Sequence, residues 1–218
     1  MRSKTFILGI LVLILLAQSC IPSLHPLYTK EKIVFLESLE GVWVGSDNDA
    51  VGQKSEVNNA KGDNKPAVWD FRKNEESGYL LIQEDQKGRK AAFDIFVVKL
   101  GNEYFMDFYP ADFPKGESPY SDNNIDHREN ELASYHFLPV HTFAKLDVNG
   151  ETISIKMFDP EFLDNLFKHR QIRIKHEKID DGSYVLTAQP EELQKFVEKY
   201  SGHQEAFIDE VTILNKLK

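Results

Sequence analysis

The apolar and polar positions change rhythm along the chain. Residues 6–16 are unbroken apolar apart from Gly9, with Arg2 and Lys4 before them and Ala17, Gln18, Ser19 and Cys20 after them. A basic start, a short apolar run and a small-residue exit make residues 1–19 an export signal. The run is too short to span a bilayer core of ~30 Å, which needs about 20 apolar residues. Residues 20–32 hold Pro22 and Pro26, which forbid a helix and bias their neighbours to extended backbone, so this stretch reads as a tether. Residues 33–40 predict one or two helical turns, stopped at Gly41.

From Gly41 the punctuation is that of short strands. Strands are expected over 41–45, 68–72, 79–83, 92–100, 104–109, 135–146, 152–158, 172–178, 184–188 and 206–217. Gly101-Asn102 and Asn149-Gly150 sit between apolar runs as hairpin turns. In 93–100 both phases are mostly apolar, which predicts a central strand buried on two faces. Asp159-Pro160-Glu161 starts a helix to about His169, burying Phe162, Leu163, Leu166 and Phe167. Gln189-Pro190-Glu191 opens a second to about Tyr200, with Leu193, Phe196 and Val197 on one face. Residues 46–65 read as a long mobile loop or disordered insertion, and 110–134 as a second irregular stretch. The expected fold is mainly β, a β-rich α+β domain over 33–218. It is an antiparallel barrel or a strongly curved sheet, with two short helices in the C-terminal half.

Composition narrows the function classes. The net charge of −9 becomes −11 once Arg2 and Lys4 leave with the signal, which argues against binding nucleic acid by phosphate neutralisation. One cysteine excludes an intramolecular disulfide and any CxxC site. The chain has no GxSxG, GxGxxG or Walker loop, and His176-Glu177 fails as HExxH because Asp180 stands where the second histidine belongs. Asp47-Asn48-Asp49 begins like a calcium loop, but Val51 and Asn58 replace ligands; in 122–126 the glycine place is taken by His127. His136 and His141, five apart in one expected strand, fall on opposite faces, so neither a metal nor a cofactor is expected. His141 reads as a histidine satisfied by hydrogen bonds within the sheet, and Asp94 and Asp107 as solvent-facing acids on apolar strands.

The aromatic side chains of the strands either form a packed core or line a ligand cavity. If there is a pocket, its candidates are Trp43, Trp69, Phe96, Phe108, His136 and His141. An enzyme would need two or more of Asp94, Asp107, His136 and His141 to converge, with shifted pKa values.

Leu16-Ala17-Gln18-Ser19-Cys20 resembles the lipobox of bacterial lipoproteins in the relaxed, Bacteroidetes-type form, with Ala17 where the strict pattern has leucine. The resemblance implies cleavage before Cys20 and acylation of that residue, and two or three acyl chains anchor firmly where one does not. Gly41-Val42-Trp43 is similar to the Gly-x-Trp opening of lipocalins, although that family's Thr-Asp-Tyr turn is missing and two late helices do not fit a simple eight-strand order. Residues 20–29 with 39–43, and later 138–143, 159–163 and 186–196, resemble a family of bacterial lipoproteins of unknown function. That likeness implies export without implying an activity. The expectation is an outer-membrane lipoprotein facing the periplasm, since no acidic run follows Cys20. Its domain would be a non-catalytic module that binds an apolar small molecule or an envelope protein. The alternative is a small hydrolase with an Asp/His site in a barrel pocket.

Overall fold

The computed structural model describes residues 21–45, 65–74, 77–118, 138–179 and 183–217. The expected export signal, Cys20, the residues around Asp47 and Asp122, His127, His136 and residues 180–182 lie outside them. The strands are β1 (Gly41–Gly45), β2 (Val68–Lys73), β3 (Tyr79–Glu84), β4 (Lys90–Leu100), β5 (Glu103–Pro110), β6 (Thr142–Asn149), β7 (Thr152–Phe158), β8 (His176–Lys178), β9 (Tyr184–Leu186) and β10 (Phe207–Lys216). The helices are α1 (Pro160–Lys168) and α2 (Pro190–Tyr200).

Eight strands close an antiparallel barrel in the order β1-β10-β7-β6-β5-β4-β3-β2. Each strand from β1 to β7 pairs with the next, and β10 then closes the ring between β7 and β1. The helices do not break that order. They enter between β7 and β10, together with the two-stranded β8–β9 ribbon, as one insertion. All these elements lie within residues 21–217.

Alternation assigns each side chain to a face. The interior receives Trp43, Trp69, Phe71, Tyr79, Leu81 and Ile95, and is completed by Val97, Met106, Phe108 and the inward residues of β6, β7 and β10. Neighbouring rings meet edge to face, Trp69 on Phe108 at 6.3 Å and Phe71 on Tyr79 at 6.1 Å. The opposite phase of β4–β7 (Val98, Leu100, Phe105, Phe143 and Phe158) faces outward under α1 and α2. There Leu163, Leu166, Leu193, Phe196 and Val197 are buried, each contributing roughly 1.5–3 kcal/mol. The doubly apolar β4 is therefore central between two cores, as its sequence predicts.

Local chemistry sets the ends of the elements. Gly101 (φ +58) opens the two-residue turn closed by Leu100 and Glu103. The β6–β7 turn lies one residue later than expected, on Gly150 (φ +61) and Glu151, because Asn149 still pairs with Thr152. The Asp159 carboxylate accepts from the Glu161 N–H at 2.8 Å, capping α1 behind Pro160.

Four expectations need correction. The strand expected over 172–178 forms only at His176–Lys178, with residues 172–175 irregular. Residues 33–40 form only a short 3-10 turn at Glu37–Leu39, and Ile33 pairs instead with Val98. The reason is that β4 outruns β3, whose pairing ends at Tyr79 and Ile95. The open backbone beyond is filled by Val34 N–H to Val97 O at 2.9 Å and Lys99 N–H to Lys32 O at 3.1 Å. β6 begins at Thr142, and residues 138–140 ahead of it are irregular. Finally, the segment expected as a tether is extended but docked. Ile21, Ser23 and Leu27 are buried, and the segment lies as a strap over the outer core.

Candidate functional site

Four polar residues are buried where the strap crosses the outer face of the barrel: Ser23, Asp107, His141 and Gln194. Asp107 shares the outward phase of β5 with Phe105 and is completely buried. His141 immediately precedes β6 and leaves a tenth of its side chain exposed, 11%. The register of β5 on β6, with Asp107 opposite Phe143, brings them together. His141 Nδ1 lies 2.7 Å from Asp107 Oδ1, and the Leu27 N–H donates to Oδ2 at 2.6 Å. The Leu27 carbonyl accepts from Gln194 Nε2 of α2 at 2.9 Å, so both of its backbone groups are held by buried side chains.

The surroundings fix the imidazole. Ser23 and His141 exchange two backbone hydrogen bonds at 2.8 Å each. The Tyr109 ring stacks on the imidazole with centroids 4.4 Å apart. Tyr28 approaches edge-on at 6.4 Å and lies against Phe96 at 4.2 Å. Burial pushes the Asp107 carboxyl above its ordinary value, opposed by the hydrogen bonds from His141 and Leu27. With Asp107 ionised, Nδ1 carries the proton and donates, and in the neutral imidazole Nε2 is the acceptor. An imidazole oriented by a buried carboxylate is the arrangement a histidine general base uses. No described side chain hydrogen-bonds to Nε2, and the Ser23 hydroxyl donates elsewhere, to the His25 carbonyl at 2.7 Å.

The structure divides the sequence candidates between two places. Trp43, Trp69 and Phe108 are inside the barrel. Phe96 and His141 are outside it, under the strap, so these five do not line one pocket. Asp107 corrects the solvent-facing expectation: its neighbours on that face are buried too, so an acid there needs partners, and it has them. His141 is satisfied as expected, with Asp107 as the partner. The strap residue Leu27 and the helix residue Gln194 were not anticipated. The available signal was apolar Ile21 and Leu27, both buried, where a free tether has no use for them.

Among the described residues no three His, Cys, Asp or Glu side chains gather as metal ligands, and no helix is long and apolar enough to cross a membrane. What the fold and site define is a mainly β, closed eight-stranded antiparallel barrel with a strapped and helix-covered outer face. No protein-family model matches the chain, and neither the curated proteins nor the solved structures contain a significant match.

Proposed function

We propose that the protein is a lipid-anchored lipoprotein of the bacterial outer membrane, facing the periplasm, whose barrel is a non-catalytic scaffold for interaction with an envelope protein. The observation that carries this reading is the filled interior. Trp43, Phe71, Tyr79, Leu81, Ile95 and Met106 are all at most 1% exposed where a ligand cavity would lie. A barrel packed in this way works through its surface. The docked strap supports the same reading, since an acyl group on Cys20 would hold the domain directly at the bilayer instead of on a loose linker.

Mass spectrometry tests both halves. The full chain extracted from bacterial membranes should begin at an acylated Cys20, and Cys20→Ser should lose the modification and the membrane association. A wild-type chain with a free thiol would refute the anchor. Native spectra of residues 21–218 should show the bare protein, whereas a stoichiometric apolar adduct would refute the filled scaffold.

The second reading, a small hydrolase, is favoured by one specific observation, the Asp107–His141 contact at 2.7 Å. Turnover of a model ester that disappears in His141→Gln would establish it. Absence of turnover, or turnover indifferent to that change, would remove it.

A further inference from the structure

Five cations fall within residues 168–178 (Lys168, Arg170, Arg173, Lys175 and Lys178) against the single acid Glu177, in a chain of net charge −9. The fold concentrates them further. Lys168, Arg170, Arg173 and Lys178 rim a groove of about 480 Å3 between the end of α1 and the β8–β9 ribbon. Its floor is aromatic, with Phe167 on His176 at 3.8 Å and on Tyr184 at 4.8 Å. Lys168 is paired with Asp164. Arg170, Arg173 and Lys175 are exposed, and no described acid forms an ion pair with them. Arg170 also takes φ +54 in the turn after α1, a conformation that glycine adopts without strain and a side chain does not.

The same ribbon receives the start of the strap. Leu186 N–H donates to Pro22 O, and Leu24 N–H to Leu186 O, both at 2.9 Å. Ser23 thus runs parallel beside Leu186, which pairs on its other side with His176 at the groove. Wherever residue 20 is held, the chain enters the fold next to this basic face.

We propose that the groove and its cationic rim are the face the domain lays on an anionic membrane, with phosphate-bearing headgroups seated between Arg170, Arg173 and Lys178. The proposal rests on the lipid-anchored reading and adds an orientation to it. Acyl chains hold the protein at the bilayer. The basic face then turns toward the lipid phosphates, while the predominantly acidic remainder is repelled. Attraction of this kind acts within a Debye length of about 8–10 Å, so only cations beside the entry point contribute.

The test uses residues 21–218, which contain the whole barrel and its cover but lack Cys20, sedimented with vesicles of phosphatidylcholine alone or mixed with phosphatidylglycerol at low salt. Binding is expected to the mixed vesicles, weakening as salt rises. Arg170→Gln with Arg173→Gln should lower the partition coefficient by about 25-fold, at roughly fivefold per basic residue. The charge-matched Lys73→Gln with Lys99→Gln, at the far ends of β2 and β4, should stay within about twofold. Equal binding to neutral vesicles, no binding to mixed ones, or equal loss in the two double variants would overturn the proposal. Displacement by inorganic phosphate where chloride of equal ionic strength has no effect would make the groove a small-anion site and would also overturn it. Vesicle failure with an acylated Cys20 in the full chain removes this face alone. Vesicle binding with an unmodified Cys20 removes the anchor alone.

Discussion

The buried Asp107 carboxylate separates two energetic roles that one substitution pair can isolate. Its oxygens satisfy the Leu27 N–H and the His141 ring, and it is inaccessible to water. Asp107→Ala strands two polar groups in a site that water cannot easily reach, at about 1–3 kcal/mol each. A loss of roughly 2–6 kcal/mol follows, a large share of the ~5–15 kcal/mol that holds a small domain folded. Asp107→Asn keeps the shape. Its amide oxygen can accept from Leu27, and its amide nitrogen can donate to Nδ1 once the His141 proton moves to Nε2. The charge burial disappears with the carboxylate, so this variant should lie within about 1 kcal/mol of wild type. The pH dependence supplies the sign. Burial raises the folded-state pKa above the ordinary 3.8, so the folded protein binds the proton more tightly than the unfolded chain. Stability from this group is therefore highest below 3.8, falls as pH rises through the raised pKa, and is level beyond it. Relative to Asp107→Asn, wild type should lose stability across that window. Urea unfolding of residues 21–218, followed by the fluorescence of the buried Trp43 and Trp69, measures both quantities. If Asp107→Asn is as damaging as Asp107→Ala, or wild type gains on the asparagine variant as pH rises from 4, the reasoning fails. The buried carboxylate is then held by an attraction to its partners that exceeds the cost of burial.

Other expectations use the same unfolding assay. The Tyr79 hydroxyl donates to the Leu36 carbonyl at 2.9 Å and accepts its N–H at 2.7 Å, so Tyr79→Phe should cost about 1–2 kcal/mol. Burial pushes that phenol up to about 12, and ultraviolet titration should find it protonated where exposed tyrosines ionise, near 10. Asp159→Ala removes the cap of α1 and should cost about 1 kcal/mol, with Asp159→Asn recovering most of it. Gln194→Leu leaves the Leu27 carbonyl without its partner and should cost about 1–2 kcal/mol, an amount that should not add fully to Asp107→Ala because both loosen the same strap.

Much of the barrel was legible because strands, turns and caps are written in neighbouring residues. Period-two alternation placed Ile95 and Val97 opposite Phe96 and Val98, and Asp159-Pro160 marked where α1 starts. The closing pair was not legible, because nothing near Trp43 specifies Lys216 as its cross-strand partner. The site was hidden for a related reason. Asp107 and His141 are separated by a stretch without periodicity, and the strap that covers them presents itself through two prolines as free chain. An acid in the same phase as Phe105 was nevertheless a sign. A carboxylate on a face otherwise committed to burial has to be partnered or has to lie at an edge.

The position of β10 also bears on the order in which the protein can assemble. A chain emerging N-terminus first presents β1 and β7 with open edges until the final strand arrives, since β10 bonds to both. The barrel therefore cannot close while the chain is still being made. Those edges would stay unpaired until synthesis ends, and unpaired edges recruit strands from other chains. Loss of the last dozen residues would leave a protein with most of its apolar packing intact and two adhesive borders, prone to aggregate before it unfolds.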